Sequence, residues 1–164
     1  MPLVFWDASS LIKRYFTEQG SATVNALFNQ KPFPDMASTP WGYAETYSLL
    51  LRKFNGGNLD LSTWSTQVSA LQAEVVSSLS FALFPIDSTD VFASTGMMRA
   101  HNLNATDAAI LTVLVDYARS PRSLTCLLVA ADQRLIRAAQ AEGLATLNPE
   151  QVAPADVPQI LSAL

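Results

Sequence analysis

Leu3-Val4-Phe5-Trp6-Asp7-Ala8-Ser9-Ser10-Leu11-Ile12 and Cys126-Leu127-Leu128-Val129-Ala130-Ala131-Asp132-Gln133-Arg134-Leu135 share one plan. In each, a short apolar run gives way to an aspartate and then to a helical pattern. Neither run alternates apolar with polar residues, so each reads as a strand buried on both faces, which is the signature of a parallel sheet covered by helices. Phe81 to Ile86, Met36 to Ser38 and Leu144 to Leu147 add further short apolar runs. The fold class is therefore α/β, in three layers, with a parallel sheet between helices.

Between the strands the helices announce their ends. Gly20 reads as the stop of the first helix, and Ser21 to Phe28 as a second before the punctuation of Lys31-Pro32-Phe33-Pro34-Asp35. Thr39-Pro40 supplies an N-cap and a first-turn proline for a helix running to Phe54, which places Glu45 well inside it. Trp64, Val68, Leu71, Val75 and Leu79 recur every three or four residues and predict one amphipathic helix over 62–80. Asp87 caps a helix ending near Arg99 to Asn102. Asn104 caps the next, with Asp107 three residues on and Ile110, Leu111 and Leu114 behind it. Residues 133–141 are helical up to Gly143. The 164 residues suit one domain, over 1–148, followed by a tail over 149–164 that either packs as a short helix or lies loose.

Composition excludes several kinds of chemistry. Cys126 is the single cysteine, so no internal disulfide forms, and a reducing compartment fits. His101 and Cys126 together supply at most two of the ligands that a zinc site usually takes. Ten Lys and Arg against 14 Asp and Glu give a net charge of −4, which argues against a broad basic nucleic-acid surface without excluding nucleic acid. The apolar start breaks off at Asp7 and lacks a basic leader, and no segment offers the roughly 20 apolar residues of a membrane span, so a cytoplasmic protein is expected.

Ligands of an open parallel sheet bind beyond the carboxyl ends of its strands, where the strand order changes direction. Asp7 and Asp132 each follow a strand; either alone is also a good N-cap, but on neighbouring strands both would face one crevice. Asp107 shares the apolar stripe of its helix, where a dipole interaction or a capping box with Asn104 is the alternative to a site role, and Glu45 sits mid-helix, where a pair with Arg52 or simple solvation is the alternative. Two ionised carboxylates about 5 Å apart repel by roughly 3 kcal/mol at an effective dielectric near 20, so four in one pocket call for a cation. All-oxygen donors select Mg²⁺ or Mn²⁺, and the chemistry this suits is hydrolysis at phosphorus. Lys13, Arg52 and Arg134, each near an acidic motif, are candidates for phosphate contacts; a solvated helix face is the alternative.

In these contexts the chain resembles the PIN-domain ribonucleases, most closely the VapC-type toxins of bacterial toxin-antitoxin pairs. The resemblance rests on Val4-Phe5-Trp6-Asp7-Ala8-Ser9-Ser10-Leu11-Ile12-Lys13, on Ala44-Glu45 with Leu50-Leu51-Arg52, on 103–111 around Asp107 and on 128–135 around Asp132. Each motif is short, but four in order at these separations are specific. The resemblance implies a five-stranded parallel sheet, and Asp7, Glu45, Asp107 and Asp132 as catalytic residues and ligands of Mg²⁺ or Mn²⁺, with Ser9 orienting Asp7. It further implies endonucleolytic RNA cleavage, a homodimer, and an antitoxin whose C-terminal segment blocks the pocket. Many relatives carry Thr or Ser two residues before the fourth acid, where this chain has Ala130. The competing expectation is an inactive PIN-like module that holds RNA or a protein without cutting. A phosphoaspartyl domain fits less well, because Ser9 stands where a haloacid-dehalogenase-like phosphatase needs a second Asp, and no acid pair precedes Asp7 as in receivers.

Overall fold

Strand β1 (Leu3–Trp6) lies at the centre of the sheet, and its four residues are buried on alternate sides. Val4 and Trp6 enter one core with Leu11, Val24, Leu27 and Leu50, while Leu3 and Phe5 enter a second with Ile110, Leu111, Leu114 and Leu135. A strand feeding two cores has no polar face, which accounts for its unbroken apolarity. The computed structural model describes residues 2–30, 34–121 and 123–164. The punctuation read at Lys31-Pro32-Phe33 thus falls outside the described residues.

The other strands are β2 (Asp35–Ser38), β3 (Phe81–Leu83), β4 (Cys126–Val129) and β5 (Ala145–Leu147), all parallel in the order β3-β2-β1-β4-β5. Leu3 pairs with Asp35 on one side and with Cys126 on the other. The chain first winds outward from β1 through α1 (Ala8–Tyr15), α2 (Ser21–Phe28), β2, α3 (Pro40–Asn55), α4 (Leu61–Leu71) and β3. It then crosses through α5 (Ser88–Ala93), α6 (Thr95–His101) and α7 (Ala105–Arg119) to β4, and on through α8 (Gln133–Ala141) to β5. The direction of winding therefore reverses between β1 and β4. This is the switch point at which such sheets open a crevice.

Four local expectations are corrected. The first helix stops at Tyr15, and Gly20 instead precedes α2 at φ 89°, where a Cβ would come within 2.9 Å of the Pro149 carbonyl carbon. The pattern over 62–80 is not one helix: after α4 the chain makes a π turn, Gln72–Val76, and stops, leaving Leu79 fully exposed. Within that turn Glu74 accepts from Arg14 Nη2 at 2.8 Å and Tyr15 Oη at 3.0 Å. The segment from Asp87 to Asn102 breaks into α5 and α6 at buried Ser94, whose hydroxyl donates to the Val91 carbonyl at 2.7 Å. Finally, the strand read over Phe81 to Ile86 ends at Leu83, with one more backbone bond from the Phe84 N–H to the Ser38 carbonyl at 2.8 Å.

Residues 149–164 pack down on the body of the protein. A 3₁₀ turn, Pro154–Asp156, leads into α9 (Val157–Ser162), which buries Val157 and Leu161 in the core shared with Val24 and Leu27. Thr23 Oγ1 donates to the Val152 carbonyl at 2.6 Å, and Lys13 Nζ pairs with Glu150 at 2.7 Å. No helix among the described residues is long and apolar enough to cross a membrane.

Candidate functional site

Asp7 is placed by the sheet itself. Its N–H donates to the Val129 carbonyl at 3.0 Å, one step past the β1–β4 ladder, so the ends of both strands stay in register. Its carboxylate caps α1, accepting from the Ser9 N–H at 2.9 Å and from the Ser9 hydroxyl. Ser9 Oγ in turn accepts from the Ala131 N–H at 2.9 Å, tying the turn after β1 to the turn after β4 through one oxygen. Burial pushes the Asp7 carboxyl above its ordinary range, the Ser9 bonds pull it back, and the Asp132 charge adds to the rise.

Asp132 caps α8, accepting from the N–H groups of Arg134 at 2.7 Å and Leu135 at 3.2 Å. Asp107 lies in the first turn of α7, in a reciprocal arrangement with its cap. Asn104 Oδ1 accepts from the Asp107 N–H at 2.9 Å, and Asn104 Nδ2 donates to the Asp107 carboxylate at 2.7 Å. Asp107 is pushed up to about 6, first by burial and then by the charges of Asp7 and Asp132; Asn104 and Arg134 oppose the shift.

Glu45 reaches the same place from α3. The helix is capped by Thr39, whose Oγ1 accepts from the Gly42 N–H at 2.9 Å, and Gly42 lies so close to β2 that a Cβ there would collide with Ser38 Oγ. One turn on, Glu45 is half-buried. Its carboxyl is raised by burial and by the charges of Asp7 and Asp107, against the pull of Arg52. Asp7, Glu45, Asp107 and Asp132, separated in sequence, thus line one cleft of about 390 Å³ at the switch point, where the charges of Asp7, Asp107 and Asp132 reach neighbouring acids.

The rim differs in part from the sequence reading. Arg52 lines the cleft and is exposed, and Lys53 lines it beside Arg52. Lys13 does not serve as a free phosphate contact: only 4% exposed, it is held between Glu18 at 2.9 Å and Glu150 at 2.7 Å. Two carboxylates already satisfy its charge where water barely reaches it. Arg134 is exposed and outside the cleft lining, though its charge reaches Asp107. Glu18 is a fifth acid in the lining that no local pattern marks, since it sits in the polar turn after α1 and belongs to no strand or helix. His101 pairs with Glu142 at 2.8 Å, away from the cleft lining.

The donor set is of the kind that suits a hard divalent cation: oxygen throughout and partly buried, with three carboxyls raised first by burial and then by their neighbours' charges. Among the described residues, however, no three His, Cys, Asp or Glu side chains close into a ready-made metal cage. Mg²⁺ is commonly held by one or two carboxylates with retained waters, so the chemistry of the donors fits it without such a cage.

A doubly wound parallel α/β domain with an acidic cleft at its switch point is the class that fold and site define. Among solved structures, PAE2754 from Pyrobaculum aerophilum is similar at a TM-score of 0.62 and 16% identity, over 99% of this chain and 97% of that one. At that identity the likeness shows the fold alone. No protein-family model matches the chain, and no curated protein does.

Proposed function

We propose that this protein is a divalent-metal-dependent endoribonuclease of the PIN-domain type, acting as the toxin of a toxin-antitoxin pair. The observation that carries the reading is the gathering of Asp7, Glu45, Asp107 and Asp132, from four separate motifs, into one cleft beside β1 and β4. Asp7, Glu45, Asp107 and Asp132 would hold Mg²⁺ or Mn²⁺, which when bound supplies charge neutralisation for a phosphodiester and acidifies water. Ser9 orients the Asp7 carboxylate. Asp107, raised to about 6 without metal, would give up its proton to bind the cation, so metal binding should weaken as pH falls below about 6. Arg52 on the rim offers the positive charge that an RNA backbone needs at a protein carrying a net −4, while Lys53 beside it is paired with Glu18 at 3.4 Å. The same reading takes RNA as substrate, a homodimer as the assembly, the cytoplasm as location, and an antitoxin segment as the inhibitor covering the cleft.

A second reading, a PIN-like module that binds without cutting, is favoured by two observations. Ala130 is fully buried and offers no hydroxyl near Asp132, and the acids do not form a closed cage. One experiment separates the two: a mixed pool of structured and single-stranded RNA is incubated with Mn²⁺ or Mg²⁺, beside an EDTA control and Asp7→Ala. Cleavage that needs metal and is lost in Asp7→Ala supports the nuclease. Cleavage surviving in chelator or in the variant refutes it, and absence of both cutting and Mn²⁺ binding favours the binding module.

A further inference from the structure

A second, smaller pocket of about 270 Å³ adjoins the acidic cleft and is lined by Trp41, Ala44, Glu45 and Thr106. Ala44 and Glu45 lie one turn beyond Trp41 along α3, and Thr106 precedes Asp107 in the first turn of α7, so two acid-bearing helices build this pocket as well. Glu45 belongs to both walls.

The three tryptophans have different surroundings. Trp6 is fully buried, and Trp64 is stacked on Phe54 at 5.1 Å with Tyr47 against its edge. Trp41 is 39% exposed and, among the described residues, makes no aromatic pair. Its pocket holds an indole, a methyl group, a hydroxyl and a carboxylate, with no basic side chain in the lining among the described residues. Such a lining repels phosphate and accepts a flat, uncharged, polarisable group.

We infer that Trp41 is a stacking platform for an unpaired nucleobase of the RNA strand, next to the phosphodiester that enters the acidic cleft. The inference rests on the ribonuclease reading and deepens it by assigning one base contact: the nucleotide beside the cleaved bond stacks on the indole, which a base paired in a helix cannot reach. Stacking needs a π-face and no particular base, so Trp41 selects strandedness more than sequence.

The test is a cycle on the full chain with Mn²⁺. kcat/KM is measured for wild type, Trp41→Ala and Trp41→Phe on a single-stranded RNA, and on the same RNA with one abasic ribose placed in turn beside the cleaved bond. Trp41→Ala should lose about ten-fold in kcat/KM, mainly through KM, whereas Trp41→Phe, which keeps a ring, should stay within about three-fold. One abasic position should cost the wild type about as much as Trp41→Ala does, and cost Trp41→Ala nothing more. Equal sensitivity of wild type and Trp41→Ala to every abasic position overturns the platform while leaving the nuclease standing. So does a Trp41→Ala protein whose one defect is a weakened dimer in sedimentation, since Trp41 then faces a second copy. A wild type that neither binds nor cuts RNA overturns both.

Discussion

Ser9 does two jobs with one hydroxyl, and both concern the position of Asp7. It donates to the Asp7 carboxylate and accepts from the Ala131 N–H, so its removal leaves a buried acid and a backbone donor each short of a partner. Ser9→Ala should lose about 1–2 kcal/mol in denaturant unfolding. Because the Ser9 bonds hold the Asp7 carboxyl down against burial, their loss should also move any activity dependent on ionised Asp7 to higher pH. Asp107 gives a second titration with a definite sign. Its carboxyl stands at about 6 in the folded chain against 3.8 as the ordinary value. Below about pH 4 both states hold the proton; between there and about 6 the folded state keeps a proton the unfolded state has lost, so stability falls as pH rises, and above 6 the penalty is constant. Asp107→Asn, which keeps an acceptor for Asn104, should therefore remove that slope. Denaturation midpoints measured at pH 4 and 7 should show the variant gaining on wild type as pH rises, and no gain would mean that Asp107 ionises as freely as an exposed acid.

Helix α3 brings Glu45 to the cleft only because Gly42 lets its first turn approach β2. Ser38 Oγ, which donates to the Trp6 carbonyl at 2.8 Å, occupies the space a side chain at 42 would need. Gly42→Ala should cost about 1–3 kcal/mol, as overpacking does, and weaken whatever Glu45 binds. Adding Ser38→Ala should recover part of the loss; a double variant no better than the single one would place the strain elsewhere. The elements that bear the site were legible because their signals are local. Asp7, Thr39, Asn104 and Asp132 are cap residues next to apolar runs, and the structure has each accepting from its own helix's N–H groups. Illegible were features set by distant partners. Lys13 looks like a surface cation until Glu150, 137 residues away, meets it, and Glu18 joins the cleft through a turn with no periodicity. The helical pattern running on to Leu79 gives no sign that α4 will end in a π turn where Glu74 meets Arg14 and Tyr15. Gly20 likewise reads as a helix stop, because the Pro149 carbonyl beside it comes from the other end of the chain.

For the molecule as a whole, the cleft concentrates carboxylates in a protein already carrying a net −4, and the elements holding them are fixed from outside. Lys13 and Glu150 join α1 to the C-terminal segment, and Val157 and Leu161 anchor that segment under α2. With α1 held from behind and β1 paired to β4, the chain has little freedom to relieve the repulsion by spreading Asp7 and Asp132 apart. A cation that binds the folded cleft and not the unfolded chain would then appear directly as stability. At a free Mn²⁺ concentration 100 times its Kd the gain is about 2.7 kcal/mol. For a chain of this length that corresponds to a rise in Tm of about 5–10 °C. Differential scanning fluorimetry should show the rise with Mn²⁺, its reversal by EDTA, and its loss in Asp7→Asn and Asp107→Asn. Those variants should also start from a higher metal-free Tm at neutral pH, since each removes a carboxylate whose ionisation the fold resists. Higher metal-free stability with no response to Mn²⁺ identifies the acids as a cation site whose ionisation burial and neighbouring charge oppose; an equal response in variants and wild type would place the ion elsewhere on the acidic surface.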